Sequence, residues 1–184
     1  MQKIFITIIF IICQLISYSV LARTEAPSLP IHQVKTSDFI EKFNNLNKQY
    51  QYNLATIEKP NNLVNKITYF LTPNIYLTMY SEFELVTRLK ITCDRFANNK
   101  SDGMNKCQQS IQLISKAFDP DFKFSDFEHN DKRCGSTSTY SSRYSSRYEV
   151  YSCSYVFNNV EYKQEHGRYK QAFRFIISPY REYL

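Results

Sequence analysis

Cys93, Cys107, Cys134 and Cys153 constrain this chain more than any other feature, because no two of them form a Cys-x-x-Cys pair. Zinc knuckles and thioredoxin-type redox sites both need that short spacing. An even set of well-separated cysteines reads instead as two structural disulfides in an oxidising compartment. Spacing alone leaves the pairing open.

The fifth cysteine, Cys13, lies in the opening MQKIFITIIFIICQLISYSVLA. A spanning helix needs about 20 apolar residues, and this run is interrupted at Gln14 and Ser17. Lys3, the apolar stretch 4–16 and the small-residue signal Val20-Leu21-Ala22 together describe a secretory signal peptide, residues 1–22. Ile11 and Ile12 stand where lipid attachment at Cys13 would need a small residue, so Cys13 leaves with the signal. The expected product is a periplasmic or secreted chain of 162 of the 184 residues, without a transmembrane segment. One of the 23 basic residues and none of the 17 acidic ones leave with the signal, so the charge falls from +6 to +5. A chain of this length buries about two-thirds of its unfolded surface, enough to fold without relying on a disulfide.

Residues 23–35 carry two prolines and no period, and read as an extended lead-in. A domain then occupies 36–184. TSDFIEKFNNLN predicts a short amphipathic helix capped by Thr36 or Ser37, with Phe39, Ile40, Phe43 and Leu46 on its apolar side and asparagines at its end. From residue 50 to 93 the period drops to two, with breaks at Pro60-Asn61-Asn62, Pro73-Asn74 and near Ser81-Glu82. Ile67, Tyr69 and Leu71, then Ile75 and Leu77, then Leu85, Thr87, Leu89, Ile91 and Cys93 alternate as in an antiparallel meander. Asp102 opens a second helix, in which Met104, Cys107, Ile111, Ile114 and Phe118 recur before Asp119-Pro120 stops it. Cys93 on the strand's apolar face and Cys107 on the helix's apolar face are placed to meet, which leaves Cys134 for Cys153. A helical turn at SDFEHN precedes strands through Tyr151, Cys153, Tyr155 and Phe157, a tight turn at Asn158-Asn159, another at Glu165–Arg168, and a last strand with Phe173, Phe175 and Ile177. The fold class is α+β: a meander plus C-terminal hairpins in one antiparallel sheet, one or two helices on one face, and two disulfides.

FIEKFN, TYFLTPNIYL and DGMNKCQQSIQLISKAFDP, in this order, resemble small exported bacterial α+β proteins. The resemblance rests on packing patterns and implies a scaffold but no active site. An asparagine- and lysine-rich composition suits a bacterium with an AT-rich genome. In a eukaryotic secreted protein, Asn99-Lys100-Ser101 would be a glycan acceptor.

STSTYSSRYSSRYEVYSC, residues 136–153, is the segment most suited to recognition. Read as a strand, it puts Tyr140, Tyr144 and Tyr148 on one face with Ser142 and Ser146, and Arg143 and Arg147 on the other. A Cys134–Cys153 bond would make it a stapled loop or hairpin. Tyrosine offers a large rigid contact surface with a polar tip, so Tyr140, Arg143, Tyr144, Arg147 and Tyr148 are the partner-binding candidates. Strands of this composition are also ordinary in exported domains, where arginine guards an edge.

His32, His129 and His166 have no metal-ligand spacing. There is also no Gly-x-Ser-x-Gly elbow, phosphate loop or glycine-rich fingerprint, so no metal and no cofactor is expected. Two acid–base constellations remain: His129 with Glu128 and Asp126, and Glu161 with His166 and Arg168, types a small nuclease would use. Arg143, Arg147, Arg168, Lys170, Arg174 and Arg181 would draw an anionic partner, although dispersed cations equally make a soluble surface. The expectation is a non-enzymatic interaction protein for a protein or anionic envelope component, for instance a toxin-neutralising immunity protein or an enzyme inhibitor. Nucleic acid is not expected as partner. The alternative is a small secreted hydrolase such as a nuclease.

Overall fold

The computed structural model describes residues 33–60, 65–94, 100–129, 132–141, 146–167 and 173–180. The expected signal peptide and most of the expected lead-in lie outside the described residues, as does Asn99. Strands β1 (Lys66–Thr72), β2 (Ile75–Glu82) and β3 (Leu85–Cys93) form the expected meander. Helices α1 (Thr36–Tyr50), α2 (Lys100–Phe118) and α3 (Phe124–His129) complete the first two-thirds of the chain. A second meander follows: β4 (Arg133–Ser141), β5 (Ser146–Phe157), β6 (Val160–Gly167) and β7 (Phe173–Pro179). The two join where β7 pairs antiparallel with β3, giving one sheet in the order β1-β2-β3-β7-β6-β5-β4.

Period two decides the layers. Ile75, Leu77 and Met79 on β2 pair with Cys93, Ile91 and Leu89 on β3, and these in turn with Phe173, Phe175 and Ile177 on β7. Directly paired residues share a face, so one side of the sheet is a continuous apolar surface. The three described helices lie on it, their inner residues joining one core cluster with those of the sheet. The Cys93–Cys107 disulfide ties α2 to β3 with both cysteines buried, and the Phe127 ring of α3 meets Phe175 edge-on at 5.2 Å. Phe39, Ile40 and Phe43 bury the inner side of α1.

Several local features differ from the sequence expectation, among them Glu165 to Gly167, which belong to β6 rather than to a turn. No side chain caps α1: the Thr36 hydroxyl donates to the Glu84 carbonyl at 3.0 Å instead. The helix continues to Tyr50, past the asparagines expected to end it, because two of them find partners outside the helix. Asn44 and Asn47 each donate to and accept from one backbone unit of the extended segment that follows, Ile57 and Leu54 respectively. That segment then lies along β1, where the Ala55 N–H donates to Leu71 O at 2.9 Å. Met104 is exposed, and Asp102 lies inside α2, which begins at Lys100. The β2–β3 turn falls at Phe83-Glu84, both with positive φ, because Glu82 pairs with Leu85.

Candidate functional site

The β4–β5 hairpin ends the sheet. Its register is regular from Arg133↔Ser154 to Ser141↔Ser146, with Cys134 directly opposite Cys153 and bonded to it, as expected. Their Cα atoms are 4.1 Å apart, which marks a non-hydrogen-bonded pair, so the backbone groups of Cys134 point away from β5. By alternation those of Ser136, Ser138 and Tyr140 do the same. Among the described residues no strand takes them up, since β4 is terminal in the strand order. The side of Gly135 is open as well: a Cβ there would meet no atom within 4 Å.

The tyrosine stretch does not form the single stripe expected of it. The chain reverses between Ser141 and Ser146, so Tyr140 pairs with Arg147 while Tyr148 pairs with Thr139. The position of Tyr140 therefore shares a face with that of Arg147, and Tyr148 belongs to the other. Arg143 and Tyr144 lie outside the described residues. Tyr151, opposite Ser136, continues the Tyr140–Arg147 face. Tyr151 is 37% exposed, its ring stacks on His166 at 5.6 Å, and its hydroxyl donates to Glu149 Oε2 at 3.1 Å. Tyr151 and His166 are direct partners on β5 and β6, so an exposed aromatic pair joins the hairpin to the neighbouring strand. Arg133 is exposed at the start of β4.

The acid–base constellation expected on β6 does not assemble. Glu161 and His166 are an odd number of residues apart on β6, so they face opposite sides of the sheet, and strand rise separates them by about 17 Å. Arg168 lies outside the described residues, as do Lys170, Arg181 and His32. Arg174 stands opposite Glu165 in the β6–β7 register, and the Glu165 carboxylate is bridged to Lys163 at 2.9 Å. Glu128 accepts from the Gln108 amide at 3.3 Å, and His129 is the last residue of α3, its side chain lying outside the described residues. Among the described residues no group of three or more His, Cys, Asp or Glu is placed to hold a metal ion. Nor is any described helix long and apolar enough to cross a membrane.

Sequence reasoning missed Phe83. It is 89% exposed at the tip of the β2–β3 hairpin with φ 48°, and SEFEL, two polar residues around an aromatic between strand patterns, was the available signal. It also missed the buried contact of Asp119 with Tyr162, because the two are 43 residues apart.

Compared with known proteins, the chain matches no family model, and neither a curated protein nor a solved structure is significantly similar to it.

Proposed function

We propose that the mature chain is an exported, non-enzymatic interaction protein that holds a protein partner along the β4–β5 hairpin. What supports this reading most is the outer edge of β4: a nine-residue strand in regular register, stapled at its base, with its outward backbone groups unclaimed among the described residues. An extended segment of a partner would add to that edge as a further strand. Main-chain hydrogen bonds would supply affinity, and the flanking side chains would supply specificity. Natural edges are usually blunted by proline, a bulge or a central charge. β4 carries its one charge, Arg133, at the end.

The staple matters to such a function because a hairpin already fixed loses little conformational entropy on binding. Tyr151 and His166 give the hairpin an exposed aromatic contact, and Arg133 an attraction for acidic residues. An immunity protein or an enzyme inhibitor is the concrete version, since either needs a rigid exported scaffold and no chemistry of its own. The test is capture from the envelope and secreted proteins of the producing organism, using the mature chain with both disulfides formed. One protein near stoichiometry, lost on Arg133→Glu with Tyr151→Ala, is the expected result. Capture that persists in that variant would remove the hairpin from the account. Loss of a measured hydrolytic turnover on His166→Ala would replace binding with catalysis.

A further inference from the structure

Phe83 stands where the chain does not favour it. Two-residue hairpin turns with both φ positive select asparagine, aspartate or glycine, and the β5–β6 turn obeys, with Asn158 at 48° and Asn159 at 58°. The β2–β3 turn has the same geometry, 48° and 64°, but places Phe83 and Glu84 there. A bulky side chain at positive φ is a true outlier that the surroundings must enforce. They do so here: the Glu84 carbonyl accepts from both the amide of Thr36 at 2.8 Å and its hydroxyl at 3.0 Å, and Lys35 bridges Leu85. The result is a rigid knob in which an almost fully exposed ring sits between the exposed residues Glu82 and Glu84. Carboxylates on both sides of the ring disfavour insertion into an anionic bilayer and call for an apolar socket with a cationic rim.

The chain contains a pocket with such a rim, aromatic on its walls and partly polar through Gln112 and Ser125. Tyr50 and Tyr52, stacked at 5.5 Å, together with Phe122 and Phe124 line a pocket of about 320 Å³, and Lys116 and Lys123 stand at its edge. Lys116 Nζ donates to the Tyr50 hydroxyl at 2.8 Å. Knob and socket lie at opposite ends of α1, whose 15 residues span about 21 Å, so one molecule cannot fill its own socket with its own knob. We infer that the mature chain self-associates, with Phe83 of one copy entering the Tyr50–Tyr52–Phe124 socket of the next, and Glu82 and Glu84 meeting Lys116 and Lys123. This joins two different patches rather than one patch to itself.

Sedimentation velocity of the mature chain over a concentration series tests the inference directly. The wild type associates with rising concentration, and Phe83→Asn weakens the association about 30-fold or more, as for removal of a buried aromatic anchor. Because asparagine suits this turn, the variant melts no lower than the wild type, which separates lost binding from lost folding. Lys116→Glu with Lys123→Glu, both exposed positions, also yields a monomer. Mixing the two variants restores a one-to-one complex, since one keeps the socket and the other the knob. A wild type that stays monomeric throughout, a Phe83→Asn variant that associates unchanged, or a mixture that stays monomeric would each overturn the inference. So would Phe83-dependent sedimentation with phosphatidylcholine vesicles in place of self-association.

Discussion

Tyr162 donates its hydroxyl hydrogen to Asp119 Oδ2 across 3.2 Å, with both side chains almost completely removed from solvent. Asp119 also accepts from the Asp121 N–H at 3.1 Å and from the Asn158 amide at 3.5 Å. One carboxyl group therefore ties the end of α2 to β6 and to the β5–β6 turn. Phe122 stacks on the Tyr162 ring at 3.8 Å and closes the site. Tyr162→Phe is expected to lower stability by about 1.5–3 kcal/mol, and Asp119→Ala by more, because it leaves several buried donors unpaired. Urea denaturation of both single variants and the double variant checks this. Their effects should be far from additive.

The same pair gives stability a pH dependence. Burial first, and Asp119 second, raise the pKa of Tyr162 well above its ordinary 10.0. The unfolded chain then releases this proton near pH 10 while the folded chain keeps it. The contribution is fully present below pH 10 and is lost as pH rises beyond it, by about 1.4 kcal/mol per pH unit for one proton. Burial shifts Tyr69 in the same direction, so Tyr162→Phe should flatten the alkaline slope without abolishing it. Urea midpoints on either side of pH 10 measure the difference.

The two disulfides should differ in access. Cys93 and Cys107 are buried between β3 and α2, whereas Cys134 is exposed on β4. A thiol reagent reaches a disulfide through solvent, so mild reduction followed by alkylation and peptide mass spectrometry should label Cys134 and Cys153 first. Replacing both by serine should cost at most about 3 kcal/mol by the loop-entropy account.

Asn47 holds both the N–H and the C=O of Leu54, at 3.3 and 2.8 Å, in a buried site. Asn47→Ala strands both groups and should destabilise by about 2–4 kcal/mol. Asn47→Asp keeps only the acceptor and should recover part of the loss. Thermal melts of the two variants check the order.

The asparagines also mark where the sequence stopped being legible. Asparagine is a poor helix former, and NNLN read as a helix end because nothing local reveals that Asn44 and Asn47 have backbone partners beyond Gln51. Strands β1, β2, β3 and β7 were legible because alternation records which face is buried. Both disulfide pairings followed from the faces that carry Cys93 and Cys107. The β3–β7 pairing was not legible, since it joins the middle of the chain to its last strand and leaves no local trace. At the candidate site the residue types were visible but their arrangement was not: the antiparallel β4–β5 register puts the position of Tyr140 opposite Arg147 and that of Tyr148 opposite Thr139. Phe83 escaped because an aromatic in a turn contradicts local preference, and what holds it there, Thr36 and Lys35, comes from a distant part of the chain.

The most direct test of the interaction account is backbone hydrogen exchange on the mature chain with and without its captured partner. Added-strand binding predicts that the amides of Cys134, Ser136, Ser138 and Tyr140, whose N–H groups face the open edge, exchange far more slowly in the complex. Those of β1, at the other end of the sheet, should be unchanged. Protection that appears elsewhere and leaves β4 exchanging as in the free chain would contradict the account.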